Sequence, residues 1–289
     1  MDAPHASHAG TIEIAGHSAP RMGFGAMRLP GPNVWGPPAD RERALAVCRR
    51  AVELGIRVID TAWYYGDDVA NEILAAALRP YPDDLMFMTK LGGARTPDGG
   101  WVPALRPEEL REGCERDLRV LGLESVPLVH LRWMGEHANA PFSEALGTVL
   151  ELRDQGKIQH IGLSTVDVAQ IRTAQSLCDV ASVSNAYSPL DRADEAVVDH
   201  CTEHGIPYLP YFPLAMGSVA DPGAVAEVAA DLEATPVQVA LAWLLARSPV
   251  MLPIPGTGDP AHLEENVAAG ALELPDDARA RLDAAGRPA

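Results

Sequence analysis

From Met22 onward the chain alternates short apolar runs with segments of helical spacing, eight times over. That rhythm limits the fold more than any single motif. The runs are Met22–Gly25, Arg57–Asp60, Leu85–Thr89, Leu128–Leu131, His160–Ser164, Val180–Asn185, Pro207–Tyr211 and Met251–Ile254. Helical patterns lie between them, at Arg41–Leu54, Ala70–Leu78, Pro107–Leu121, Phe142–Asp154, Asp167–Leu177, Asp194–His204, Val237–Arg247 and His262–Ala269; Asp276–Ala284 follows as one more. Punctuation agrees with this reading. Asp40 stands as an N-cap, Gly55, Gly122 and Gly205 follow helix ends, and Pro107 sits in a first turn. Strands alternating with helices imply a parallel sheet. Eight such units fit a closed (β/α)8 TIM barrel, an α/β fold, better than an open doubly wound sheet. The open sheet would carry a glycine-rich phosphate turn after its first strand, and Gly23-Phe24-Gly25 has no third glycine three residues on.

Ahead of the barrel, Thr11–Pro20 alternates and turns at Ala15-Gly16, a small hairpin. Residues 1–10 are expected as a flexible lead, and residues 11–289 as one barrel domain.

Charge narrows the partners. Forty acidic against 23 basic residues give a formal net charge of −17. A surface that negative repels phosphate backbones, so nucleic acid and anionic membranes are not expected partners. No apolar run reaches the roughly 18 residues of a membrane helix. The opening MDAPHASHAG has neither the basic nor the apolar region of a signal peptide. Cys48, Cys114, Cys178 and Cys201 are widely spaced, which fits neither a disulfide framework nor a zinc ribbon. The expectation is a cytoplasmic protein without a metal, and a monomer, since the barrel is self-contained and no hydrophobic seam stands out.

Barrel chemistry sits at the C-terminal ends of strands. There the sequence places Asp60, Lys90, His130 and, just after the second strand, Tyr65. Of the basic residues only Lys90 and Lys157 are lysine. A lysine in so arginine-rich a chain points to a task that needs an ammonium rather than a guanidinium. Each of the four has an ordinary structural role when taken alone: a loop cap, a packed ring, a rim charge, a satisfied histidine. Together, on neighbouring strands, they describe a proton donor. A phenol with a pKa near 10 is a weak acid at neutral pH. An adjoining ammonium lowers that value, a carboxylate anchors the ammonium, and an imidazole orients a carbonyl oxygen.

At this point a family becomes recognisable. V-I-D-T-A-W-Y-Y-G (Val58–Gly66) resembles the signature of the aldo-keto reductases. The likeness extends over nearly the whole chain. It includes Gly156-Lys157-Ile158 through Ser164, Ser184-Asn185-Ala186-Tyr187-Ser188-Pro189-Leu190, Tyr211-Phe212-Pro213-Leu214, and Ile254-Pro255-Gly256-Thr257 through Glu265-Asn266. The resemblance implies a nicotinamide cofactor, NADPH rather than NADH, bound across the barrel top, and a leading hairpin that plugs the barrel bottom. It implies catalysis by Asp60, Tyr65 and Lys90, with Tyr65 giving the proton that completes reduction of an aldehyde or ketone. Ser164, Thr165 and Ser184 are implied around the carboxamide, and Tyr211 stacked on the nicotinamide. Gly25, Met27, Asp60, Pro213, Leu214 and Gly217 are implied along the cofactor, and Gly256, Thr257, His262, Glu265 and Asn266 at its adenosine end.

The chain also departs from the family pattern. Pro127 stands where an acid is usual, which puts Arg132 where the strand-four histidine is expected; His130 lies two residues earlier on the same face. His130 is taken as the orienting group, with Arg132 the alternative. Thr165 replaces a common Asn and Ser184 a common Gln. Gly256 and His262 occupy places where a Lys and an Arg often meet the 2′-phosphate. The amides of Gly256–Gly258 can cradle a phosphate instead, and Arg287 or another arginine can supply the charge.

For the substrate, Trp35, Trp63, Tyr64, Trp101, Arg132 and Trp133 are candidates for a pocket around a small carbonyl compound. The loop Gly92–Arg106 has the length of a lid. L-V-H-L-R-W-M-G (Leu128–Gly135) is most similar to a bacterial branch that includes pyridoxal reductases, which makes pyridoxal a candidate substrate. The resemblance also admits a second reading, a cofactor-binding regulatory subunit with little turnover. A metal hydrolase would need paired histidines at an early strand end, and the nine histidines form no such pair.

Overall fold

Alternation dictates which side chains turn inward, and the structure, a computed structural model describing residues 3–221 and 223–286, shows the result. A hairpin of β1 (Thr11–Ile14) and β2 (His17–Pro20) leads into β3 (Phe24–Gly25), α1 (Arg41–Glu53), β4 (Val58–Asp60), α2 (Val69–Leu78) and β5 (Met86–Leu91). Next come β6 (Gly93–Arg95), β7 (Trp101–Pro103), α3 (Pro107–Leu121), β8 (Val126–Arg132), α4 (Phe142–Asp154), β9 (Ile158–Ser164), α5 (Val168–Gln175), β10 (Val180–Ser184) and α6 (Glu195–His204). The chain continues through α7 (Ala224–Asp231), α8 (Pro236–Arg247), α9 (Pro260–Ala268) and α10 (Asp276–Ala285). Asp40 caps α1 through a bond from Arg43 N–H at 2.9 Å, as its place in the sequence predicts.

Six strands form one curled parallel sheet, in the order β10-β9-β8-β5-β4-β3. The seventh and eighth predicted strands are present as single bridges at Tyr208 and Met251 rather than as ladders. Proline is the reason. Pro207, Pro210, Pro253 and Pro255 have no N–H to give, so the ladder cannot run on. What remains still carries the ring round. Leu209 N–H donates to Val183 O at 2.7 Å, Leu252 N–H to Tyr208 O at 2.9 Å, and Gly23 N–H to Pro253 O at 2.9 Å.

Three other segments differ from expectation. The loop 92–106 contains an antiparallel ribbon of β6 and β7. Helix α7 fills a stretch that has no clear period. Residues 6–9 form a 3-10 turn, with Ala6 and Ala9 buried and the Ala6 N–H donating to Leu54 O at 2.7 Å.

Inside the sheet the layers differ in polarity. The lower layer is apolar: Val58, Met86, Met88, Leu128, Leu209, Leu252 and Ile254 cluster with Ile12, Ile14 and Ala19 of the hairpin. One strand repeat higher, the inward positions become Asp60, Lys90 and His130. The switch from methionine and leucine to charge, two residues along the same face, is what turns a packed core into a site. No helix among the described residues is long and apolar enough to cross a membrane. The four cysteines are free thiols.

Behind β4 a buried chain of hydrogen bonds fixes the turn that follows it. Thr61 Oγ1 donates to Asn71 Oδ1 at 2.7 Å, and Asn71 Nδ2 donates to Asp117 Oδ1 at 2.7 Å, tying β4 to α2 and α3. Burial pushes the Asp117 carboxyl up to about 7. The folded state therefore holds a proton that the unfolded chain releases near pH 4, so this group costs stability as pH rises from about 4 to about 7, with no further loss above. Asp117→Asn keeps the acceptor for Asn71 and removes the titration. Urea unfolding is expected to show the variant gaining stability relative to the parent between pH 5 and pH 8; a difference independent of pH would contradict this.

Candidate active site

The ends of β4 and β5 bring opposite charges together. Lys90 Nζ forms an ion pair with Asp60 Oδ2, and both side chains are buried, 1% and 5% exposed. The ammonium also lies 3.5 Å from Thr61 O. Tyr65 follows in the turn after β4, where its N–H donates to Ala62 O at 3.0 Å. Its ring centre is 5.2 Å from Lys90 Nζ. Arg116 pins the remainder of this loop through Asp67 at 2.6 Å and Asp68 at 2.7 Å. Asp60, Tyr65 and Lys90 line one cavity of about 240 Å³, together with Gly25, Arg132 and Tyr211.

Two expectations about this group are corrected. The first concerns acidity. Burial holds the Tyr65 hydroxyl above its ordinary value, and Asp60 adds to the rise. The Lys90 ammonium is neutralised by Asp60, so at Tyr65 the pair acts as a dipole rather than a free cation. The cation that favours the phenolate is Arg132. The second concerns His130. Its Nε2 lies 2.9 Å from Ser182 Oγ inside the barrel, and it does not line the cavity. It occupies the layer beneath Arg132, closed in by β9, where a Cβ on Gly162 would meet the imidazole at 2.5 Å. Burial, with Lys90 adding, pushes the His130 imidazole down to about 3, so it is neutral at working pH. Arg132, two residues on, is the strand-four side chain that reaches the cavity.

The residues implied for a cofactor divide in two. Gly25, Met27, Tyr211, Pro213, Leu214, Gly217 and Gly256 line the same cavity as the ion pair. Gly25 and Gly256 are glycine for a spatial reason: a Cβ on Gly256 would lie 2.5 Å from Gly25 O. Ser164, Thr165 and Ser184 stand at strand ends beside it. Ser184 Oγ is buried without a partner, and Ser164 Oγ has only Thr165 Oγ1 at 3.5 Å. Both serines are fully buried and neither lines the cavity, but they adjoin Thr165, whose hydroxyl meets the cavity-lining Tyr211, and two hydroxyls with spare hydrogen-bonding capacity beside that wall fit a nicotinamide carboxamide. Thr165 is left-handed, with φ 60°, and its hydroxyl lies 3.2 Å from Tyr211 Oη. At the far end Thr257 Oγ1 accepts from Asp259 N–H at 3.0 Å. On α9, His262 is exposed, Glu265 half-buried and Asn266 buried. Arg287 lies outside the described residues.

Among the aromatic candidates, Trp101 lines an adjoining cavity of about 370 Å³, with Tyr65, Arg132 and Met216. The others pack elsewhere. Arg116 stacks on Trp63 at 4.3 Å, Trp133 meets Phe142 at 5.4 Å, and Arg95 lies over Trp35 at 5.2 Å. Tyr64 is buried among Trp63, Tyr65 and Trp101. Sequence reasoning missed Arg28, Phe212 and Met216, which line both cavities. Arg28 adjoins Met27, the available clue; Phe212 and Met216 take left-handed backbone, which their side chains do not announce.

A curled parallel sheet with a buried aspartate–lysine pair and a tyrosine at its upper end defines a class of oxidoreductase. A model of the Aldo/keto reductase family matches residues 21–287, and the chain belongs to that family. It is 44% identical to pyridoxine 4-dehydrogenase of Escherichia coli (strain K12), covering 96% of this chain and 98% of that one. It is 27% identical to an aldo-keto reductase of Schizosaccharomyces pombe whose name carries NADP(+), over 92% and 88% of the two chains. In structure it is similar to a thermostable aldo-keto reductase in complex with the inhibitor epalrestat, at a TM-score of 0.81 and 27% identity, over 96% and 99% of the chains.

The ion pair sets a stability prediction. Lys90→Met strands the buried Asp60 carboxylate, at a cost of about 3–5 kcal/mol. Denaturant titration should show that loss, and should show most of it recovered in Asp60→Asn/Lys90→Met. A double variant no more stable than the single one would contradict the pairing.

Proposed function

We propose that this aldo-keto reductase reduces a small aldehyde or ketone to the alcohol with NADPH, and that Tyr65 gives the proton. The observation that carries the reading is the Tyr65 hydroxyl, held protonated by burial, in a cavity that it shares with Arg132, a half-buried cation with no ion-pair partner among the described residues. The reduced nicotinamide, when bound, supplies hydride to the carbonyl carbon. The chain does the rest. Tyr65 passes its proton to the carbonyl oxygen as negative charge builds there, and Arg132 stabilises both that oxygen and the phenolate left behind. Asp60 fixes Lys90 beneath the ring. Water entering after the alcohol leaves restores the proton. Arg132 thus takes the orienting role in place of His130, which is sealed one layer below.

Several features support NADPH. Ser164 and Ser184 offer free hydroxyls to the carboxamide, Tyr211 a ring to the nicotinamide, and Gly25 and Gly256 a close backbone approach. Arg28 lines the cavity beside Gly256 and gives a guanidinium for the dinucleotide phosphates, where this chain lacks the usual lysine. A relative named for NADP(+) agrees. The similarity to pyridoxine 4-dehydrogenase favours pyridoxal among carbonyl substrates. The hairpin, whose Ile12 and Ile14 meet the lower interior layer, serves as the barrel plug. The regulatory-subunit reading has no comparable support, because the proton-donating group is assembled.

Tyr65→Phe is expected to lower the rate of pyridoxal reduction by about 10²–10⁴-fold while NADPH still quenches tryptophan fluorescence; turnover at the parent rate would show that the donor is misassigned. The pH dependence follows from the raised Tyr65 value. Reduction needs the phenol and is expected to hold level from pH 6 to about 9. Alcohol oxidation needs the phenolate and should climb across that range. Stopped-flow NADPH absorbance in each direction reads both, and a reduction rate falling through pH 8 would contradict the assignment.

A further inference from the structure

Among the described residues the half-buried arginines have acceptors for their N–H groups, and Arg132 is the exception. Arg21 donates to the carbonyls of Leu245, Ser248 and Met251, Arg192 binds Asp283, and Arg116 binds Asp67 and Asp68. Arg132 is half-buried at the end of β8, and among the described residues no carboxylate lies within 4.0 Å of it and no hydrogen bond holds it. Its guanidinium faces Tyr65 and, at 5.5 Å, the ring of Tyr211. Burial works against its charge, and Tyr64, Tyr65, Tyr211 and the nearby Asp60 together outweigh that, so the guanidinium stays charged while its N–H donors have no acceptor. A charged fork with its donors free is reserved for a ligand that brings acceptors.

A carbonyl group alone does not meet that need. It is neutral until hydride arrives, and it occupies one N–H of a fork that presents several in one plane. The adjoining cavity, walled by Trp101, Phe212 and Met216, has the volume for one six-membered ring with small substituents. An aromatic aldehyde with an ionised hydroxyl on the adjacent ring carbon places two oxygens in one plane, as a guanidinium presents its N–H groups.

We propose that Arg132 selects substrates of that kind, ortho-hydroxy aromatic aldehydes, by donating one N–H to the carbonyl oxygen and another to the neighbouring phenolate oxygen. The proposal rests on the carbonyl-reductase reading and deepens it. The phenolate supplies the counter-charge in the ground state. In the transition state the same fork takes the second negative charge, on the oxygen that Tyr65 protonates. In a chain of net charge −17 such a local cation offsets the repulsion that the bulk surface exerts on an anion. Arg132 is a specificity-determining residue on this account, and Lys cannot replace it, because an ammonium offers a point charge rather than a planar fork.

The test compares 3-hydroxypyridine-4-carbaldehyde with pyridine-4-carbaldehyde, which differ by the one hydroxyl. In the unaltered chain with NADPH, kcat/KM is measured for both, then again in Arg132→Gln and Arg132→Lys. The expected result in Arg132→Gln is a fall for both aldehydes, since each loses a donor to its carbonyl oxygen, with the fall at least about tenfold greater for the hydroxylated one and Arg132→Lys between. An equal fall for both aldehydes would overturn the proposal, since Arg132 would then serve the carbonyl oxygen alone; so would no fall. A second measurement needs no turnover. Salicylate, titrated by calorimetry into the chain saturated with NADP, should bind at least tenfold more weakly to Arg132→Gln than to the parent, and equal binding would overturn the proposal. If neither aldehyde consumes NADPH in the unaltered chain, the carbonyl-reductase reading fails, and the salicylate titration still decides whether Arg132 is an anion site.

Discussion

The ion pair of Asp60 and Lys90 is the constraint that the rest of the site depends on. Burial pushes the Asp60 carboxyl above its ordinary value, the Lys90 partner works against that rise, and the pair leaves little net charge at the adjacent strand ends. The consequence is felt at Tyr65. A free ammonium beside it would make the phenol more acidic; a paired one does not, and burial then sets the direction. The electrostatic centre of the cavity thereby moves from the lysine to Arg132, which Asp60 favours from a distance but which no carboxylate among the described residues contacts. Tyr65 lies between the two, with a neutral pair beneath and a positive group across the opening.

The barrel prepares this arrangement by layers. Methionines and leucines fill the lower interior with the hairpin, and the next inward positions carry the charges. Glycines make room where side chains would collide: Gly162 under the His130 ring, and Gly25 and Gly256 where two backbones pass at contact distance. Around the mouth, Thr165, Phe212, Ala215 and Met216 take left-handed backbone despite bearing side chains. Such conformations persist when the surroundings over-determine them, and they cluster at ligand sites. Near Thr165 the cause is visible. Asn185 holds Val166 from both sides, donating to its carbonyl at 2.7 Å and accepting its N–H at 3.1 Å, and Asn185 is held in turn by Asp194 at 2.9 Å.

Much of this was legible in the sequence because it follows from periodicity. The eight apolar runs, the caps and the strand ends at Asp60 and Lys90 are local patterns, and alternation alone puts both charges inward. The scarcity of lysine was a sound pointer to Lys90. What was not legible depends on depth and on partners. His130 and Arg132 share a face, so alternation cannot say which lies in the buried layer and which at the opening. Trp35, Trp63 and Trp133 stand near strand ends but are drawn away by Arg95, Arg116 and Phe142, contacts that sequence separation hides. The proline-broken seventh and eighth strands still read as strands, because their hydrophobicity is intact even where the donors are missing. The acidity of Tyr65 was misread for a related reason: the presence of an ammonium was visible, and its neutralisation was not.

The most direct test of this electrostatic arrangement is the ionisation of Tyr65 itself, followed by ultraviolet difference absorbance between the parent chain and Tyr65→Phe as pH is raised. The account predicts that Tyr65 contributes no phenolate band up to about pH 11. A band appearing with a midpoint near pH 9 or below would mean that Lys90 acts on it as a free cation, and would contradict the account.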